Sequence, residues 1–312
     1  MRVFVRCVDG ETGIDVWQDR FDSDVTEAFS LQDEITLRIL RGLEIDLSSA
    51  ERNRIQYLDD TDDLNAWLYA ANGVRQLIKL DPSSLGDALV SYRKALEIDP
   101  DYTSARRGLA WHALLKVRFG ISTDPAADLL EARNQLNVIL RRKPDDGMSR
   151  GLEGLMLLLE NNWDGSINSG LKATRLLPGS ADVWAVLAHT YTFSGEPEKA
   201  IEAIDRAMSL SPGHPPFYNW IKGRALRLTG QYEAAIEQLS LGREGEDRTL
   251  VQLVELAIAY SAAGRLDEAH IVAEQVRRVS PDFSASAWVL HPSSRDAEQQ
   301  SVEFELLTRA GL

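Results

Sequence analysis

From residue 63 to residue 285, apolar positions recur in the i, i+3, i+4, i+7 rhythm that lays one stripe along an α-helix. Proline and glycine interrupt that rhythm at regular intervals. The clearest unit runs from Ser180 to Pro212. Trp184, Leu187, Ala188 and Tyr191 share one helical face, and Gly195 closes that helix. Pro197 falls in the first turn of the next helix, where its missing N–H costs nothing. This second helix carries Ala200, Ile201, Ile204, Ala207 and Met208 on one stripe and stops before Pro212. Pro144, Pro178 and Pro212 recur every 34 residues, and Pro281 lies two such intervals and one residue further on, with Asp247 in the intervening place. Pro100 precedes Pro144 by 44 residues, one interval with an insertion.

The neighbouring segments carry the same pattern. Gly223, Leu226, Gly230, Tyr232, Ala235, Leu239 and Gly242 form one copy, and Ala257, Tyr260, Gly264, Ala269, Ala273 and Pro281 the next. Upstream, Gly154, Ala173 and Pro178 fit, while Arg150 and Ser166 stand where an aromatic and an alanine are expected. Leu109, Ala110, Ala132 and Leu136 fit a unit with Phe119–Pro125 as an inserted loop. Ala88, Tyr92, Ala95 and Pro100 mark a second helix; its partner includes Trp67, Ala70, Ala71 and Gly73, with Leu80–Leu85 as a longer connection. A large aromatic followed by Leu-Ala, Tyr, Ala, an apolar residue, Ala and Pro, in this order and spacing, resembles the tetratricopeptide repeat. The resemblance implies a mainly α fold, a right-handed superhelical solenoid of about six helix pairs over residues 61–285. A capping helix is expected within residues 286–312.

The period changes at the N-terminus. Residues 2–8 and 14–21 alternate as strands and flank the turn sequence Asp9-Gly10-Glu11-Thr12-Gly13. A helix is expected from Thr26 to about Leu43, with Ala28, Leu31, Ile35 and Ile39 on one side. A hairpin and one helix make a marginal unit, so residues 1–60 read as the end of a larger α/β sheet domain. The run "RVFVRCVDGETGIDVWQDRFD…FSLQDEI" resembles the last hairpin and helix of the TolB-like α/β domain, and "FELLTRAGL" is similar to the end of the arrays that follow such domains. In bacterial signalling proteins that domain precedes a tetratricopeptide array, as in class III adenylate/guanylate cyclases and winged-helix regulators of the CadC type. The resemblance implies an output domain upstream of these residues.

Composition narrows the functions. The formal net charge is −14, with 34 Lys+Arg against 48 Asp+Glu, which opposes phosphate backbones and anionic membrane surfaces. No nucleic-acid or membrane partner is therefore expected. The lone Cys7 excludes an internal disulfide and a CxxC zinc site. No apolar stretch reaches the ~18 residues of a membrane span, and residues 1–7 do not form a secretory leader, so a cytoplasmic protein is expected.

No phosphate loop, dinucleotide fingerprint, nucleophile elbow or HExxH occurs. His112, His189, His214, His270 and His291 have no ligand partner at metal spacing. Asp59–Asp63 reads as an acidic linker ahead of a helix, Asp22-Ser23-Asp24 as a turn with an N-cap, and Asp145-Asp146-Gly147 as a loop. No catalytic residue, cofactor, metal or small-molecule substrate is expected. The remaining candidate is the groove that the first helices of stacked pairs build. Asp182, His189, Trp220, Arg224 and Arg227 are the candidate partner-binding residues, with Ala185, Val254 and Ile258 beside them. Aromatic and arginine residues are over-represented in binding hot spots. The alternative places Trp220 between helices and leaves the arginines solvated. Where a known groove type clamps a C-terminal carboxylate with lysine and asparagine, this chain carries His189, Arg224 and Ile258, which argues against that ligand. The expected function is a non-catalytic scaffold for a protein segment or another copy of the chain. The alternative is the regulatory arm of a nucleotide cyclase or of a winged-helix regulator.

Overall fold

The computed structural model describes residues 2–8, 15–22, 61, 63–77, 82–214, 216–241, 249–290 and 294–312. Among them, a two-stranded hairpin precedes fourteen helices, and the fold is mainly helical and of tetratricopeptide type. Twelve helices form six hairpin pairs: α1 (Leu64–Leu77) with α2 (Pro82–Ile98), and α3 (Thr103–Arg118) with α4 (Pro125–Arg142). Next come α5 (Gly147–Leu159) with α6 (Trp163–Leu176), and α7 (Ala181–Phe193) with α8 (Pro197–Leu210). The last are α9 (Phe217–Leu228) with α10 (Tyr232–Ser240), and α11 (Leu250–Ala262) with α12 (Leu266–Val279). Each first helix also touches the first helix of the next pair, so α1, α3, α5, α7, α9 and α11 make one continuous layer.

Close crossing within each pair depends on small residues. Ala88, Ala132, Ser166, Ala200, Ala235 and Ala269 occupy one position near the start of the second helix, and all six are fully buried. Ser166 fits because its hydroxyl donates to the Gly154 carbonyl at 2.7 Å and meets Thr190 Oγ1 at 3.0 Å, so no polar atom is stranded. On the facing helix of the fifth pair, a Cβ at Gly223 would fall 2.4 Å from Leu239 Cγ.

The turns repeat as well. Gly120, Asn161, Gly195, Gly230 and Gly264 follow the first helices of pairs two to six with φ of 60–78°. Behind each of the last three, the next N–H reaches back to a first-helix carbonyl: Glu196 to Tyr191, Gln231 to Leu226, Arg265 to Tyr260. This is the left-handed helix stop that glycine accommodates without strain. The departure at Arg150 has an equally local reason. Trp184 Nε1 donates to the Pro178 carbonyl at 2.9 Å, and Arg150 Nε and Nη2 donate to the Pro144 carbonyl at 3.1 and 3.0 Å. Arginine thus makes the same bond to the preceding proline that tryptophan makes one repeat later.

The N-terminal strands β1 (Arg2–Val8) and β2 (Asp15–Asp22) pair antiparallel, with Arg2 opposite Asp22 and Cys7 opposite Trp17. The turn at residues 9–13 and the helix expected at 26–43 lie outside the described residues, as do Asp59, Asp60 and Asp62 of the acidic run and Ser23-Asp24. One expectation is corrected: 80–85 is not a connection throughout, because α2 already begins at Pro82, where proline suits a first turn. Asp63 caps α1 by accepting from the Asn65 and Ala66 amides, and Asp146 caps α5.

After α12 the chain turns back. The short α13 (Ala285–Trp288) leads to α14 (Ala297–Arg309), whose start Asp296 caps by accepting from the amides of Glu298 and Gln299. Helix α14 lies against α11, and Arg295 N–H donates to the Phe193 carbonyl at the end of α7 at 2.8 Å. The C-terminal segment therefore covers the layer of first helices across the last three pairs.

Candidate functional site

Under that segment the first helices gather an unusual set of side chains. Arg224 and Arg227, one turn apart on α9, face Glu255 of α11. Arg224 Nη1 donates to Glu255 Oε2 at 3.1 Å, and Arg227 Nε donates to Glu255 Oε1. Glu303 of α14 completes the square. Arg227 Nη2 donates to Glu303 Oε1 at 2.8 Å, and Arg224 Nη2 lies 2.8 Å from the same oxygen in an ion pair off the hydrogen-bond axis. Gln299 Nε2 adds a donor to that oxygen at 3.3 Å. Arg118 of α3 joins the cluster, with its Nε 3.4 Å from His189 Nε2.

Burial makes these charges consequential. Arg118, His189, Trp220, Arg224, Arg227, Glu255 and Glu303 are all between 1% and 6% exposed. A charge there is tolerated only when paired, because desolvation costs several kcal/mol per ion, on the order of what one good partner returns. Aromatic faces supply the rest. The Arg224 guanidinium sits 4.1 Å from the Phe193 ring centre, and Arg118 lies 5.0 Å from Trp220, 5.4 Å from Phe193 and 5.4 Å from Trp288. His189 touches Phe193 and Trp220 with ring centres 5.1 and 5.2 Å apart.

The electrostatics follow from this geometry. Burial first, then Arg118 and Arg224, push His189 well below its ordinary range, so it is a neutral ring accepting at Nε2. Burial, reinforced by Arg224, pulls the Arg118 guanidinium down to about 9, against the attraction of Glu255 and Glu303. For Glu303, burial favours the neutral acid, but Arg224 and Arg227 outweigh it and hold the carboxyl at about 2. Burial likewise opposes the charge on Arg227, and the two carboxylates raise it above the ordinary guanidinium range.

Of the residues singled out from sequence, the fold brings His189, Trp220, Arg224 and Arg227 into one cluster and leaves Asp182 apart. Asp182 is exposed near the start of α7, where its Oδ1 accepts from Tyr218 Oη at 2.8 Å. The arginines are not solvated, which corrects the alternative reading of that helix face. Ala185, Val254 and Ile258 are buried beside them. Sequence reasoning missed Arg118, Glu255 and Glu303. Glu255 did carry a signal, since it interrupts the apolar run Leu253–Tyr260, and a carboxylate there needs a cation nearby. Among the described residues no group of His, Cys, Asp and Glu is arranged to hold a metal ion, and no helix is long and apolar enough to cross a membrane.

Comparison with known proteins agrees with this architecture. The tetratricopeptide repeat family model matches residues 181–214, the pair α7–α8 and its flanks. Over 114 residues, 36% of this chain, the sequence is 27% identical to putative adenylate cyclase 3 of Rhizobium meliloti (strain 1021), covering 19% of that protein. Over 134 residues, 43% of this chain, it is 26% identical to anaphase-promoting complex subunit 7 of Dictyostelium discoideum, covering 23% of that subunit. The match therefore spans about a fifth of each relative's length. A solved tetratricopeptide repeat protein from Parabacteroides merdae ATCC 43184 is similar with a TM-score of 0.49 and 15% identity, over 92% of this chain and 99% of that one.

Proposed function

We propose that the chain is a non-catalytic, cytoplasmic scaffold that binds a protein segment across its layer of first helices, as part of a bacterial signalling assembly. The observation that carries this reading is the buried cluster of Arg118 from α3 with Trp220, Arg224 and Arg227 from α9, already engaged by Glu303 of the helical segment α14. Interaction sites concentrate binding energy in such desolvated arginine and aromatic anchors. The N-terminal hairpin is read as the last strands of a TolB-like α/β domain, with an output domain outside these residues. A photo-crosslinking residue in place of exposed Asp182, at the start of first helix α7, should capture a partner in cells. The same residue in place of Ile271, exposed on α12, should not. Equal capture at both positions would sink the groove reading.

The similarity to a putative adenylate cyclase favours a second reading. Here the array is the regulatory arm of a nucleotide cyclase whose catalytic domain lies outside these residues. In both readings the purified chain makes no cyclic nucleotide, and turnover of ATP or GTP by it would overturn both.

A further inference from the structure

Helix α14 meets the first-helix layer as a ligand would. Its buried face is Glu303, Leu306, Leu307 and Ala310, while Val302 and Phe304 point to solvent. Glu303 supplies the only α14 carboxylate that enters the cluster among the described residues, and Leu306 and Leu307 follow it one turn on, in the same apolar core as α9 and α11. Without α14 the cluster holds Arg118, Arg224 and Arg227 against Glu255 alone, an excess of positive charge walled by Phe193 and Trp220.

The occupancy is incomplete. Trp220 Nε1 and Arg224 Nε are buried donors with no acceptor within reach among the described residues, even with α14 in place. Buried donors normally find partners, so this groove has hydrogen-bonding capacity that its own helix leaves unused. The ion pair just ahead of α14, Arg295 to Asp164 at 2.7 Å, is exposed. Exposed pairs of this kind contribute little.

We propose that the groove over α7, α9 and α11 is a binding site for an amphipathic partner helix carrying Glu-x-x-Leu-Leu. Helix α14, which carries this pattern as Glu303-Phe304-Glu305-Leu306-Leu307, is the resident competitor that such a partner displaces. This rests on the scaffold reading and names its ligand chemistry. The partner's glutamate takes the place of Glu303 between Arg224 and Arg227, and its leucines take the apolar seats. Specificity comes from the arginine pair: a helix with neutral or basic residues there would leave two buried cations half paired, which is costly.

The test uses the full chain and, as probe, a fluorescent peptide of residues 294–312. Fluorescence anisotropy compares the unaltered chain with Leu307→Ala, which loosens the resident helix. Leu307→Ala should bind the probe at least tenfold more tightly, and a probe carrying E303Q should bind that variant at least tenfold more weakly. Circular dichroism monitors folding. Should Leu307→Ala lose helix content, full-chain Glu303→Gln replaces it, with the same gain expected. Equal affinity for folded variant and unaltered chain would mean that α14 is a fixed element and would overturn the proposal. Dimerisation of the variant by light scattering, without probe uptake, would assign the groove to a second copy and overturn it as well. Either failure leaves capture at position 182 unaffected, so it is distinguishable from failure of the scaffold reading.

Discussion

At the scale of single residues, stability at acid pH follows from two depressed groups. His189 is neutral in the fold, whereas the unfolded chain protonates it near pH 6.5. Glu303 is held at about 2 in the fold, against about 4.3 when unfolded. Both therefore stabilise the fold above their unfolded values and lose that contribution as pH falls. Denaturation by urea should show stability falling first below about pH 6.5, through His189, and again between about pH 5 and 2, through Glu303. The second step is worth on the order of 3 kcal/mol. Full-chain Glu303→Gln should remove the second step and keep the first. Glu255 is the stricter test of the cluster because it serves both Arg224 and Arg227. Glu255→Gln leaves two buried guanidinium groups with one carboxylate and should cost about 3–5 kcal/mol by the same measurement. A loss below about 1 kcal/mol would mean that water reaches these charges.

At the scale of the helix pair, the repeat makes equivalent positions predict one another. Asn161, at φ 60°, fills the place that Gly195, Gly230 and Gly264 fill elsewhere. Asn161→Gly should raise stability by about 0.5 kcal/mol in thermal unfolding, because glycine takes the left-handed conformation without Cβ strain. Gly223→Ala should act oppositely, since its Cβ would meet Leu239 at 2.4 Å. A loss of about 1–3 kcal/mol is expected from overpacking, despite alanine's better helix propensity. These features were legible in the sequence because they depend on local spacing: prolines every 34 residues, small residues at crossings, glycines at stops. The jobs of Arg150 and Ser166 were not legible. A bond from a guanidinium to the Pro144 carbonyl, or from a hydroxyl to Gly154, depends on side-chain direction that periodicity does not encode. The pairing of Arg227 with Glu303 was hidden for a different reason, since the residues are 76 apart and meet only because the chain reverses after α12.

For the whole molecule, the reversal links charge to architecture. Solenoids need their last apolar face covered, and a terminal helix commonly does that at the end of the stack. Here the terminal helix lies across the layer of first helices, and α11 shows the consequence: Val251 through Ala259 are buried on every side, including Gln252 and Glu255. A helix with no exposed face is covered on both flanks. A chain ending at Ser294 would uncover α11 and also strip Glu303 from Arg224 and Arg227. Two losses then add, apolar exposure and an uncompensated positive cluster, and they respond to different conditions. The truncated chain should melt lower, by an amount matching about 3–5 kcal/mol. Sulfate, a multivalent anion that binds the vacated arginines only in the truncated chain, should recover part of that loss at millimolar concentrations. The full chain, whose arginines are engaged, should not respond at those concentrations. An equal sulfate response in both chains would mean that the cluster is not what α14 protects, and the coupling between the C-terminal helix and the buried arginines would fail.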